Sequence, residues 1–252
     1  MRCLVIISFL LLGVSQGVGQ ELEYKRGKPT SRGIDIYVEA NWLVFIADYQ
    51  NHIGDTLTFE PFISTDDFSD YYSYVEGDAG YFEHPDNVLI NNKANYIDYE
   101  LRLLSNYRKS QYREATMFVR AVVMHELTHA YIYQIMMMCQ YDKNLAYEFR
   151  QGLRIIPVDH YGTEFVTEGI CEYVMYDMGV AIAYDQKIVL NKKDLENRNS
   201  YEVKYRYSKQ FMEPVIKEFG LEAAIYMILS NTPPSDEEIL SPKLYYDRLK
   251  WN

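Results

Sequence analysis

The sequence predicts an α+β fold in which short strands come first and helices dominate the rest of the chain. Segments 56–60 and 88–91 have strand-like apolar patterns and are bounded by turn residues. Residues 112–140 are apolar on nearly every side of a helix, which is typical of a buried central helix. Because no internal repeat or linker divides the chain, we expect a single domain over residues 20–252.

The remaining elements follow from the same patterns of apolar spacing and of turn residues. Before the central helix, the sequence predicts a strand-like start at 34–38 and a helix at 39–53 that ends at Gly54. A strand at 56–60 follows and stops at Pro61. The next predicted elements are a short helix at 66–75, turns at Gly77, Gly80 and Pro85, and a helix at 96–107. After the central helix, the sequence predicts a connection in which Pro157 and Gly162 interrupt regular structure, and then a helix at 163–178 that ends at Gly179. A polar exposed stretch follows at 185–200, and helices follow at 201–219 and 221–229. The chain then turns at 233–234 and begins a last helix with a capping box of Ser235 and Glu238.

Residues 1–19 have the pattern of a secretory signal peptide. Arg2 is the only charge before Glu21, residues 3–12 are apolar, and small residues suited to cleavage follow at 13–19. That apolar run is too short to cross a bilayer, and no later segment is long and apolar enough to do so. We therefore expect a secreted or periplasmic protein without stable membrane insertion.

Charge and cysteine content narrow the possible functions further. The formal net charge of −11 argues against nucleic acid as a partner. Once Cys3 leaves with the signal, Cys139 and Cys171 remain, each in an apolar helical run that favours a buried free thiol. A disulfide between them is the alternative, because an exported chain meets an oxidising compartment.

An HExxH motif, formed by His125, Glu126 and His129, lies inside the apolar helix. Histidines four residues apart lie about 40° apart around a helix, so both rings can reach one cation, and their nitrogens suit zinc. The glutamate points about 100° away from the first histidine, where it can touch a metal-bound water. If nothing satisfied them, these buried polar groups would be costly, so the motif predicts a metal site.

A catalytic zinc site needs a third protein ligand and an open fourth position. Ile132 and Ile135 occupy the places where the metzincin pattern requires glycine and histidine, which excludes that class. Glu168 and Glu172 share one face of the helix at 163–178, so one can bind the metal while the other accepts the N–H of a ligating histidine. Gly169 would let this helix approach the motif helix closely. The other possible third ligands are Asp159, His160 and Glu164, although the last lies on a different face.

The HELTH sequence followed by Glu-Gly-x-x-Glu-Tyr resembles the gluzincins, thermolysin-like zinc metallopeptidases of the peptidase MA superfamily, with a minigluzincin-like pattern. The resemblance covers about residues 88–178. It implies one Zn²⁺ ion with Glu168 as its third ligand, and it differs from the thermolysin branch in having Glu172 in place of aspartate. It also implies a small N-terminal mixed or antiparallel sheet with an edge strand over the active-site helix, for which 88–91 is the natural candidate. That strand would pair with an extended substrate.

Hydrolysis of a peptide bond in a peptide or protein substrate is the function that this resemblance implies, with Glu126 as the general base. Related enzymes add a tyrosine or histidine donor at the oxyanion. Candidates here are His160, Tyr161, Tyr205 and Tyr207. We expect a monomer. Two alternatives remain: a noncatalytic zinc-stabilised binding protein on the same scaffold, and a zinc hydrolase of a non-peptide amide or ester.

Overall fold

The structure is a computed structural model, and it describes residues 24–25, 28–58, 61–66, 79–83, 87–92, 115–141, 161–179, 187–198 and 200–251. The predicted signal peptide at 1–19 and the predicted helix at 96–107 lie outside the described residues, as does the predicted helix at 66–75 beyond its first residue. The described part is mostly helical with a small sheet, which confirms the α+β class.

The described strands are β1 (Tyr24–Lys25), β2 (Lys28–Pro29), β3 (Phe62–Asp66), β4 (Gly80–Glu83) and β5 (Asn87–Asn91). The helices are α1 (Ser31–Ile53), α2 (Ala115–Tyr141), α3 (Tyr161–Asp177), a 3₁₀-helix (Asp194–Asn197), a π-helix (Glu202–Tyr207), α4 (Ser208–Phe219), α5 (Leu221–Ser230), α6 (Asp236–Leu240) and α7 (Pro242–Trp251).

Among the described residues, β3, β5 and β4 form a sheet in that order. Strand β5 pairs in parallel with β3 and antiparallel with β4. The predicted strand at 88–91 is therefore real, but it is the central strand, and its prediction as the edge strand is wrong. Strand β4 lies at the edge, in a stretch for which the sequence predicted only turns.

The prediction of a strand-like start at 34–38 is wrong, because these residues belong to the first turns of α1. Thr30 caps this helix, and its side chain accepts a hydrogen bond of 3.0 Å from the backbone N–H of Gly33. Ile34 and Val38, four residues apart, are both buried on one face. The predicted end of the helix is confirmed, since Gly54 ends it in the left-handed conformation at φ 71°.

The predicted strand at 56–60 is not formed at 56–58, because side chains rather than a neighbouring strand bind its backbone. The amide group of Gln134 in α2 accepts from the N–H of Thr58 at 2.6 Å and donates to the carbonyl of Thr56 at 3.1 Å. Gln50 accepts from the N–H of Leu57 at 2.9 Å. The strand begins only after Pro61, as β3.

Helix α2 lies in the core and contacts α1, α3, α5, β4 and β5. Its apolar surface on all sides is explained by these neighbours, since Val119, Val123, Leu127, Ala130 and Ile135 are all buried. The polar residues of the motif therefore lie on a helix that is packed on several sides.

Helix α3 runs from Tyr161 to Asp177. Gly162 therefore lies within the helix, and its predicted place in the connection before the helix is wrong. Gly169 does permit a close approach, but to a different helix. A Cβ atom there would lie 2.4 Å from the carbonyl oxygen of Ser208 in α4. The capping box of Ser235 and Glu238 is confirmed at the start of α6. No helix in the described part of the chain is long and apolar enough to span a membrane.

Candidate metal centre

The two motif histidines and Glu168 come together between α2 and α3. The Nε2 atoms of His125 and His129 are 3.2 Å apart. Glu168 places its Oε2 atom 3.0 Å from the first of these nitrogens and 3.7 Å from the second. The three side chains are brought together by the packing of α3 along α2.

These distances match the shape of a zinc coordination shell. Nitrogen and oxygen ligands bind zinc at about 2.0–2.1 Å in a tetrahedral arrangement, which separates neighbouring ligand atoms by about 3.3–3.4 Å. The three observed separations, 3.0, 3.2 and 3.7 Å, lie around that value. One small cation can therefore contact all three atoms with only slight adjustment of the side chains.

The Oε2 atom of Glu168 gives independent support for a metal ligand. It is buried, and although it forms an ion pair of 3.0 Å with Nε2 of His125, no described group donates a well-aligned hydrogen bond to it. Buried carboxylate oxygens are normally paired, so an orphaned one needs an explanation. A cation at the shared centre supplies one, and the residues present fit a metal ion.

Glu172 supports His125 from the other side of the ring. Its Oε1 atom is 3.2 Å from Nδ1 of His125, which leaves Nε2 directed at the shared centre. Burial alone would lower the pKa of His125, but the carboxylates of Glu168 and Glu172 outweigh it and hold that pKa well above the ordinary value. Burial alone would raise the pKa of Glu168, but His125 and His129 outweigh it and hold that pKa well below the ordinary range.

Glu126 is buried on a neighbouring face of α2, against strand β4. A Cβ atom on Gly80 would lie 2.9 Å from Oε1 of Glu126 and 2.6 Å from a methyl carbon of Val122. Only glycine at this position lets the strand run so close to the carboxylate. The strand beside the motif glutamate is thus β4. The sequence analysis did not predict this strand, because Gly80 at its start was interpreted as a turn residue.

Comparison of the chain with protein-family models, curated proteins and solved structures finds no match. The assignment of the site therefore depends on its own geometry and on the resemblance of its motifs.

Cys171 is a rival third ligand that the sequence did not suggest. Its sulfur lies within 4.8 Å of ligand atoms of His125 and His129, and it is a buried free thiol. Burial, together with the charge of Glu168, raises the pKa of this thiol well above its ordinary value, whereas metals bind the thiolate. We favour Glu168, because its Oε2 atom lies 3.0 and 3.7 Å from the two nitrogens and has no well-aligned hydrogen bond. The spacing of Cys171, three residues after Glu168, was the signal that could have revealed it.

The remaining candidates separate clearly. Glu164 forms an ion pair of 2.6 Å with Lys204, which also lies 3.7 Å from Oε1 of Glu168, so Glu164 shares the face of Glu168 and its prediction on a different face is wrong. Its carboxylate is paired with Lys204, and Glu168 is the carboxylate beside the two histidines. Asp159 and His160 lie outside the described residues, and so do the side chains of Tyr161 and Cys139. The ring centre of Tyr205 is 6.1 Å from that of His125.

Tyr207 is a correction to the predicted oxyanion donors. Its ring is buried beside Phe165, and its hydroxyl donates a 2.6 Å hydrogen bond to the backbone carbonyl of Ile239. A hydroxyl committed to the protein interior is not available to a substrate, so Tyr205 is the remaining candidate whose side chain the structure describes.

Proposed function

We propose that the protein is a zinc metallopeptidase of gluzincin type, with His125, His129 and Glu168 as the zinc ligands and Glu126 as the general base. The observation that carries the proposal is the triangle of two imidazole nitrogens and one orphaned carboxylate oxygen at tetrahedral separations. A structural zinc site usually fills all four positions with protein and has no need for a nearby carboxylate such as Glu126.

Zinc in such a site supplies a Lewis acid that polarises a carbonyl group and makes water a nucleophile at neutral pH. The carboxylate of Glu126, held against Gly80, is the group that accepts the proton of the attacking water and returns it to the leaving amine. Glu172 fixes the tautomer of His125 through Nδ1. Each role follows from the position of the side chain on α2 or α3.

Two further features are consistent with a peptide substrate. Strand β4 lies beside Glu126 and is an end strand of the described sheet, the position at which a sheet can add an extended backbone as a further strand. Tyr205 lies beside His125 and is our candidate for the hydrogen-bond donor to the developing oxyanion. The predicted signal peptide at 1–19 would place this activity in an exported protein.

Peptide cleavage by the wild type and by Glu126→Gln tests the proposal. A mixture of unrelated peptides, followed by mass spectrometry, detects cleavage whatever the sequence specificity of the enzyme. We expect Glu126→Gln to bind zinc as the wild type does and to lose about 10²–10⁴-fold in rate, as is usual when a general base is removed. Glu213→Gln is the matched control: Glu213 is half-buried on α4, pairs with Lys209 and Lys217, and should be replaceable with full retention of activity.

The possible outcomes separate the alternatives. Cleavage that survives Glu126→Gln would remove the proposed general base. Bound zinc without cleavage of any peptide would instead favour the noncatalytic binding protein. Hydrolysis of simple esters or of non-peptide amides, with peptides left intact, would identify a hydrolase of another class.

A further inference from the structure

Lys204 reaches the carboxylate of Glu168 from the side opposite to the two histidines. Its Nζ atom lies 2.6 Å from Oε1 of Glu164 and 3.7 Å from Oε1 of Glu168. The two oxygens of Glu168 therefore have different surroundings. Oε2 faces the imidazole nitrogens of the candidate metal centre, and Oε1 faces an ammonium group.

The backbone that carries Lys204 is a π-helix, which is rare and occurs mostly as single wide turns, frequently at functional sites. Ser208 holds this turn in place, since its hydroxyl donates to the carbonyls of Lys204 and Tyr205. Gly169 in α3 then admits the turn, because any larger residue there would collide with the carbonyl oxygen of Ser208. The position of Lys204 beside Glu168 is thus built into the packing of α3 against the π-helix.

The charge of Lys204 is largely balanced where it lies. Glu164 is its close partner, so the pair adds little net charge to the field at the metal centre. The main effect of the ammonium group on Glu168 is therefore orientation. A carboxylate whose Oε1 atom is held by a cation presents its other oxygen, and the rotation that would bring both oxygens to a metal is opposed.

We propose that Lys204 is a positioning residue that holds Oε1 of Glu168 and so presents Oε2 alone to the metal centre. This inference rests on the proposed zinc site, and it adds a residue from outside the two motif helices. Lys204 contacts the carboxylates of Glu164 and Glu168 and the ring of Tyr205, and we assign it no direct contact with the metal or with the reacting atoms.

Metal binding by the full chain tests this role without any assay of activity. Zinc affinity is measured by competition with a chromophoric chelator, and coordination geometry is followed in the visible spectrum of the cobalt-substituted protein. The variants are Lys204→Met, which removes the charge, and Lys204→Arg, which keeps it. Lys209→Met is the matched control: Lys209 is also half-buried, pairs with Glu213 and lies over a tyrosine ring, but it does not contact Glu168.

We expect Lys204→Met to weaken zinc binding about tenfold, the lower end of the range for a residue that orients a ligand, and to change the cobalt spectrum. Lys204→Arg should restore both properties towards the wild type, and Lys209→Met should leave them unchanged. If Lys204→Met folds poorly, Lys204→Gln takes its place, because it preserves a polar side chain of similar reach.

The contradicting results are distinct for the two proposals. Wild-type affinity and spectrum in Lys204→Met would overturn the positioning role and leave the zinc site intact. An equal loss in Lys209→Met would also overturn it, since the effect would then be a general loss of packing. A wild-type protein that binds neither zinc nor cobalt would overturn the proposed function, and the positioning role with it.

Discussion

Two glutamates, Glu168 in α3 and Glu238 in α6, show opposite ways of placing a carboxylate away from water. Glu238 has both oxygens satisfied: Oε1 accepts from Arg248 at 2.7 Å, and Oε2 accepts from Arg248 at 3.1 Å and from the N–H of Ser235 at 2.8 Å. Partial burial raises the pKa of Glu238, but the hydrogen bonds from Arg248 and Ser235 outweigh it and hold the pKa below the ordinary value.

Glu168 is more deeply buried and yet less satisfied, because its Oε2 atom has no hydrogen-bond partner among the described groups. Glu238 is complete within the protein, so its role is structural. Glu168 has the incomplete environment that a metal ligand requires. Glu172 also has an unsatisfied buried oxygen, its Oε2 atom, so unsatisfied carboxylate oxygens mark the candidate metal centre as a whole, in contrast to Glu238.

The largest expected difference is in zinc affinity, between replacement of Glu168 by alanine and replacement of Glu238 by alanine. We expect Glu168→Ala to weaken zinc binding by more than about 100-fold, since losing a group that merely supports a ligand already costs about 10–100-fold. Glu238→Ala should leave zinc affinity unchanged. Chelator competition measures both affinities. Equal zinc affinity in wild type and Glu168→Ala would show that another residue, with Cys171 the nearest rival, is the third ligand.

The supporting carboxylate of Glu172 should give an intermediate effect. Glu172→Gln keeps the size of the side chain but removes the charge that faces Nδ1 of His125. We expect about 10–100-fold weaker zinc binding, which is the usual effect of changing a partner of a ligating histidine. The same titration detects it, and unchanged affinity would mean that this contact does not orient the ring.

The contact between Gly80 and Glu126 separates catalysis from metal binding. Gly80→Ala adds a methyl group that must move the strand or the carboxylate, because its Cβ atom would lie 2.9 Å from Oε1 of Glu126. Displacement of a catalytic group by about 1 Å can cost about 100-fold in rate, and we expect about tenfold in kcat for a partial shift. Zinc affinity should stay unchanged. A parallel loss of zinc would instead indicate that the whole centre is distorted.

The cap of α6 should show the smallest effect, and one independent of zinc. Ser235→Ala removes the side-chain oxygen that accepts from the N–H of Glu238. We expect a loss of about 1 kcal/mol in the free energy of unfolding, which lowers Tm by about 2–4 °C. Thermal unfolding with zinc and with chelator should give the same shift, and a zinc-dependent shift would contradict the separation of the two regions.

The sequence predicted those parts of the site that depend on helical periodicity. His125, His129, Glu168 and Glu172 each lie on the helix and on the face that spacing assigned to them. Gly54 and the capping box of α6 were also predicted, because helix ends depend on neighbouring residues alone.

What the sequence missed depends on contacts between segments that are distant in the chain. Strand β4 exists because it pairs with β5, and no local pattern could show that Gly80 would contact Glu126. Lys204 reaches Glu168 only through a π-helix that helical spacing does not predict. Gln134 likewise hydrogen-bonds the backbone of Thr56 and Thr58, in a segment whose alternating pattern had predicted a strand.

X-ray absorption spectroscopy at the zinc edge of the purified protein directly tests the identity of the metal and of its ligands. We predict one bound zinc per chain with two imidazole nitrogens and carboxylate oxygen at about 2.0–2.2 Å, and with no sulfur ligand. A sulfur shell at about 2.3 Å would assign Cys171 in place of Glu168, and a protein that binds no zinc would contradict the proposed metal centre as a whole.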